Sequence, residues 1–159
     1  MKIYLLVLLF LPIAHAITIS PFELHDMNNG GKIYKSQIQA KKVTVIEAYF
    51  VGCPYCNENA PLVNALASKY SSNPKVQVLD VGVDKDDADY EEWIARHHPN
   101  HPVLKDSHKK LIKELGTTGY PSAYVIDASG NVYYESGGVW GPEEEDGLTH
   151  AIDELLSRP

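Results

Sequence analysis

Two cysteines three positions apart, in the run Cys53-Pro54-Tyr55-Cys56, carry the clearest chemistry in this 159-residue chain, which has no other cysteine. Thiols at that spacing can bridge when the segment opens a helix, so they can make and break a disulfide. The pair sits between an apolar stretch of strand character, residues 43–51 (VTVIEAYFV), and a segment with helical spacing, residues 57–70. A helix N-terminus there offers unpaired N–H groups and a partial positive charge, both of which favour a thiolate. The Cys53 thiol is therefore expected below the ordinary value of ~8.5. Cys53 is the expected attacking sulfur, and Cys56, one turn inward, the resolving one. A structural disulfide closing so small a loop would restrict the unfolded chain little. A four-cysteine zinc site is excluded for want of a second pair.

Other groups invite the same question. Glu47 interrupts the apolar stretch six residues before Cys53. A carboxyl buried there would hold its proton to higher pH than usual and could exchange it with Cys56. The alternative is a solvated carboxylate at an edge or bulge. His97, His98 and His101 make an HHxxH cluster next to Pro99 and Pro102. Imidazoles at that density can bind copper or zinc, but no acid or cysteine is spaced to complete a site, and histidines at a helix C-terminus suit the helix dipole without metal. No metal is therefore assigned. Trp93 and Trp140 read as packing residues. The acids from Glu143 to Asp146 read as a helix-start charge cluster.

These groups need elements to hold them. Residues 43–51 are apolar on both parities apart from Thr44 and Glu47, as in a central strand buried on both faces. Residues 76–83 (VQVLDVGV) read as a second such strand. Pro61 is expected to kink the helix that follows the cysteines. Helices are expected at 86–96, at 107–115 with Ser107 as N-cap, and from Gly141-Pro142 onward. Asn28-Asn29-Gly30-Gly31 signals an early hairpin within 22–34, and residues 127–131 (DASGN) a strand–turn–strand over 122–135. Strands alternating with helices imply an α/β three-layer sandwich.

Composition narrows the class. The net charge of -7 argues against a nucleic-acid partner, and 22% charged residues with 11 Gly and 10 Pro exclude a disordered or collagen-like chain. The length suits a single domain. Residues 1–16 read as a secretory signal peptide: Lys2, an apolar run over 3–11, then Ala14-His15-Ala16. The expected organisation is a leader at 1–16, cleaved near Ala16, and one domain over 17–159. That places the protein in the periplasm or otherwise outside the cytoplasm. The rival, an uncleaved anchor, is disfavoured by Pro12 and His15 within a span shorter than about 20 apolar residues.

The run Glu47-Ala-Tyr-Phe-Val-Gly-Cys53-Pro-Tyr-Cys56, with Pro61 beyond, resembles the active-site strand and helix of the thioredoxin superfamily. Gly119-Tyr120-Pro121-Ser122-Ala-Tyr-Val-Ile-Asp127 resembles that superfamily's cis-proline segment and following strand. The insertion over 84–115 and the leading hairpin resemble the extracytoplasmic TlpA-like branch, which includes cytochrome c maturation reductases. The resemblance covers essentially the whole of 17–159. It implies a thioredoxin-like α/β/α sandwich with an N-terminal hairpin extension and a central helical insertion. It also implies a cis Pro121 whose loop, with Tyr120, Pro54 and Tyr55, receives substrate, where the bland reading of Pro121 is a strand-entry proline. At Glu47, relatives often carry a buried acid. The implied activity is protein-disulfide exchange through Cys53 and Cys56, with the reducing direction favoured and Glu47 assisting proton transfer. Its partners would be protein thiols and disulfides and a membrane redox protein, and it would need no cofactor. Where many relatives have Trp before the first cysteine this chain has Gly52, which is expected to leave Cys53 more open. The alternatives are an oxidase or isomerase of the same fold, a metal chaperone using the cysteines and His97, His98 and His101, and a non-catalytic binding module. A monomer is expected.

Overall fold

A computed structural model of the chain describes residues 17–37 and 41–158. The expected leader, residues 1–16, lies outside them. Among the described residues no helix is long and apolar enough to cross a membrane.

The order of elements is β1 (Glu23–Asp26), a 3-10 turn (Met27–Asn29), β2 (Lys32–Lys35), β3 (Val43–Tyr49), α1 (Pro54–Tyr70), β4 (Val76–Gly82), α2 (Asp87–His97), β5 (Val103–Lys105), α3 (Lys110–Glu114), β6 (Ser122–Asp127), β7 (Val132–Gly137) and α4 (Pro142–Ser157). One seven-stranded sheet runs β2-β1-β5-β4-β3-β6-β7. The two apolar stretches become its parallel centre, with Val43 opposite Val76 and Glu47 opposite Asp80. Parallel neighbours need a long crossover, and α1 supplies it. β6 pairs antiparallel with β3, and β7 with β6.

The two faces of β3 explain why its sequence does not alternate. Val43 and Val45 point into a core shared with Val63 and Leu66 of α1 and Leu148 and Ile152 of α4. Ile46 and Ala48 point the other way, to Leu111, Ile112 and Leu115 around α3. The result is the expected three layers. α4 opens at Gly141-Pro142 as read from sequence, and the Glu144 carboxylate accepts the Gly141 N–H at 2.8 Å.

α1 continues as one helix through Pro61 to Tyr70, with packing on its buried face outweighing the N–H that Pro61 cannot give. Two local expectations need correction. Ser107 is not the cap of α3. Its helix begins after Lys109, and the Asp106 carboxylate accepts from Lys110 N at 2.9 Å and Ile112 N at 3.0 Å. The insertion is not wholly helical, because Val103–Lys105 forms β5 beside β4. That three-residue strand lets β1 of the early hairpin join the sheet, through His25 opposite Lys105 and Asp26 opposite Leu104. Tertiary pairing sets so short a strand, and its sequence has no period to show it.

Candidate active site

Cys53 is the N-cap residue of α1, and Pro54 occupies the first helical position, where its missing N–H is not needed. The two cysteines are joined in a disulfide with Cα atoms 5.2 Å apart. Cys53 Sγ also accepts the Cys56 N–H at 3.1 Å, so the helix start is tied to the sulfur. Asn57, one position further on, holds the turn: its Nδ2 donates to Val51 O at 3.0 Å and Cys53 O at 2.7 Å.

The structure corrects the expectation drawn from Gly52. A Cβ there would stand 3.7 Å from the Phe50 ring. Tyr120 meets that ring edge-on at 5.6 Å between centroids. Cys53 is only 3% exposed, enclosed in a cluster that includes Tyr49, Trp93 and Tyr120, so the sulfur is covered without a tryptophan at 52. The Tyr120–Pro121 bond is cis, and Pro121 O accepts the Gly138 N–H at 3.0 Å. Tyr120 packs on the cluster containing both cysteines, whereas Tyr55 stands 58% exposed beside them.

Glu47 lies beneath this surface. It is fully enclosed on β3, on the side facing α1, and Oε1 accepts from Asn59 Nδ2 at 3.0 Å. The Asn59 side chain is itself fixed, donating to Gly138 O at 3.1 Å and accepting the Trp140 N–H at 2.9 Å. Oε2 has no hydrogen-bond partner among the described residues. Cys56 and Asn59 are three apart and both buried on α1, so the carboxyl is anchored one turn inward of Cys56. Burial pushes the Glu47 carboxyl up to about 8; the Asn59 amide opposes this and the neighbouring Asp80 charge adds to it. The unfolded chain ionises this group near 4.5 while the folded protein keeps it protonated to about 8. Stability is therefore greatest below the first value and falls as pH rises towards the second. Urea unfolding is expected to show wild type losing at least about 1 kcal/mol between pH 5 and pH 8 relative to Glu47→Gln. Parallel pH dependences for the two proteins would contradict a buried, protonated Glu47.

The histidines are not gathered. His97 Nε2 contacts Asn57 Oδ1 at 2.8 Å, His98 ends α2 in a left-handed conformation, and His101 faces inward to Asp80 at 3.2 Å. Among the described residues no three His, Cys, Asp or Glu side chains are placed to hold a metal ion. Several members of the site escaped the sequence reading: Asn57, Asn59, Asp80, and Asp84, whose Oδ2 accepts the Val51 N–H at 3.0 Å. Asn59 and Asp80 had one available signal, a polar side chain at a core position of an otherwise apolar face. Trp93 proves to be a packing residue, stacked on Tyr49 at 4.0 Å, but its indole N–H also donates to Asp80 Oδ2 at 3.1 Å.

Known proteins resemble this chain in sequence and fold. A thiol-disulfide oxidoreductase, ResA, of Bacillus thuringiensis is 26% identical over 106 residues, covering 67% of this chain and 60% of its own. A thiol:disulfide interchange protein, DsbE, of Vibrio cholerae is 27% identical over 118 residues, covering 74% and 61%. The chain thus spans about 60% of the length of these curated relatives. Among solved structures, the thioredoxin domain of a Bacteroides vulgatus thiol-disulfide oxidoreductase superposes with a TM-score of 0.73 at 14% identity, over 87% of this chain and 97% of that one. A proposed DsbE of Chlorobium tepidum gives 0.78 at 22%, over 89% and 97%. The fold is thioredoxin-like. The Redoxin family model matches residues 16–152, and the chain belongs to that family.

Proposed function

We propose that the protein is an extracytoplasmic thiol–disulfide oxidoreductase that reduces protein disulfides through Cys53 and Cys56. The observation that carries this reading is a cysteine pair at the start of α1 with an enclosed carboxyl anchored one turn below it. The names of the curated relatives support it. In the reducing direction the Cys53 thiolate, favoured by the helix N-terminus, attacks a substrate disulfide. One substrate sulfur leaves as a thiolate and takes a proton from solvent, while the other stays bonded to Cys53. The ionised form of Glu47, the minor one at neutral pH, then accepts the Cys56 thiol proton, directly or through one water, and the Cys56 thiolate attacks Cys53 Sγ. The second substrate sulfur departs, so two electrons have passed to the substrate and the protein holds a disulfide. Tyr120, Pro121, Pro54 and Tyr55 frame the surface on which an extended substrate segment lies. A membrane redox protein would restore the dithiol, and the steps need no organic cofactor or metal.

Reduction is favoured over oxidation because Pro54 and Tyr55 add no cation beside Cys53. Among the described residues its sulfur accepts one hydrogen bond, from Cys56 N. A strong oxidant requires a reduced form stabilised over its disulfide, as a cation beside the thiolate would do. Equilibration of the pair with a dithiothreitol or glutathione series tests the direction. A potential near about -270 mV fits a reductant, whereas one near about -120 mV makes the protein a disulfide donor. Failure to form a reversible disulfide would remove the redox reading altogether. Within the reading, Glu47→Gln is expected to slow release of the mixed disulfide about 100-fold at neutral pH. Stopped-flow mixing of the reduced protein with a model disulfide measures it.

A further inference from the structure

Behind Glu47 lies a second buried polar group that the exchange steps leave unused. Asp80 on β4 stands opposite Glu47 in the parallel register, on the same face of the sheet. Its side chain and that of His101 are 3% and 4% exposed. Asp80 Oδ1 and His101 Nε2 face each other at 3.2 Å, off the angle of a directed hydrogen bond, and neither atom has a hydrogen-bond partner among the described residues. Oδ2 is satisfied by the Trp93 indole. Buried carboxylates are rare without a partner, and here the partner comes from a loop rather than from a regular element.

The hairpin explains how that loop is held. Asn28 Nδ2 donates to Pro99 O at 2.9 Å and to His101 O at 2.8 Å. Asp26 Oδ1 accepts the Val103 N–H at 3.1 Å just beyond, and its carboxyl is near enough to couple with His101. The early hairpin thus clamps the segment that carries His101 and presents the imidazole to Asp80.

We infer that Asp80 and His101 are positioning residues for the exchange reaction, a buried charge pair that sets how readily Glu47 gives up and takes back its proton. The inference rests on the proton role proposed for Glu47. The Asp80 carboxylate, side by side with Glu47, opposes a second negative charge; His101 offsets that opposition. The charged or titratable groups around the pair are few. β3 contributes Glu47 and Tyr49, α2 contributes His97 with Arg96 beyond it, and β1 contributes Asp26. From α1 come the neutral Asn59 amide and the cysteines, and from the β7–α4 connection only backbone.

The two halves of the pair must act in opposite senses. Asp80→Asn removes the opposing charge and keeps the shape, so Glu47 is expected to ionise about 1 pH unit lower. His101→Gln keeps a neutral donor but cannot carry charge, so Glu47 is expected to ionise higher by a similar amount. The double variant is expected to behave like Asp80→Asn, because His101 acts through Asp80. Carbon-13 NMR titration of the Glu47 carboxyl in the reduced full chain reads these midpoints directly. A midpoint that Asp80→Asn leaves unmoved or raises, or that His101→Gln leaves unmoved or lowers, overturns the inference. Should Asp80→Asn fail to fold, His101→Gln decides alone. Kinetics of Glu47→Gln separate the two claims. If that variant resolves mixed disulfides at the wild-type rate, the proton role of Glu47 falls, while the NMR shifts still report whether the pair controls its charge.

Discussion

Cys53→Ser is expected to lower the rate of disulfide exchange by about a thousandfold or more, because the hydroxyl cannot supply the attacking sulfur. Cys56→Ser is expected to behave differently. Cys53 still attacks, but nothing one turn inward displaces the substrate, so mixed disulfides accumulate and survive non-reducing electrophoresis. The structure gives the reason for the asymmetry. Cys53 caps the helix just beyond β3, whereas Cys56 is buried in its first turn, one turn before the Asn59 that holds Glu47. Incubating each variant with a disulfide-bonded protein and counting covalent adducts separates the roles. Adducts with Cys53→Ser but none with Cys56→Ser would reverse them. Equal, undiminished exchange by both would remove the pair from the chemistry. A binding module would capture the same partner after Cys53→Ser, without a covalent link.

Trp93→Ala is expected to be the most damaging substitution outside the cysteine pair, costing about 3–5 kcal/mol of stability. The indole is 1% exposed and stacks on Tyr49 of β3, so its removal leaves a large cavity against the central sheet. The change also strands Asp80 Oδ2, which has the indole N–H as its donor. Trp93→Phe keeps most of the packing and loses only the donor, so its cost should fall to about 1–3 kcal/mol. Urea unfolding followed by far-ultraviolet circular dichroism compares the two. Equal costs would mean that the lost indole donor, and not packing, accounts for Trp93. A cost near zero for both would contradict the stacked, enclosed position.

These expectations draw on features of unequal legibility. The cysteine pair, Glu47 and Pro121 stand out in the sequence because each breaks or closes a patterned run. So do β3, β4 and α4, whose apolar periods are long enough to reveal their type. β5 did not stand out, since three residues hold no period and its strand character comes from pairing with β4 on one side and the hairpin on the other. Ser107 was a reasonable cap by residue type. Asp106 takes the role because the turn into α3 passes through a left-handed Lys109 and sets the helix start two residues later. Gly52 suggested an open sulfur, but Cys53 is enclosed by a cluster that includes Trp93 and Tyr120 from far along the chain, and spacing around a motif cannot register them.

What the sequence determines by itself is the local chemistry: a dithiol at a strand-to-helix junction, an acid in the strand before it, and a layered α/β order. Those follow from side-chain type and short-range periodicity, which act within a few turns of chain. Only the tertiary structure decides what stands beside what. Register sets Asp80 against Glu47 across 33 residues, α1 brings Asn59 to the same carboxyl, and the hairpin clamps His101 into place from 73 residues upstream. Proton affinities in the interior depend on such neighbours and on exclusion from water. Both arise only when distant segments pack.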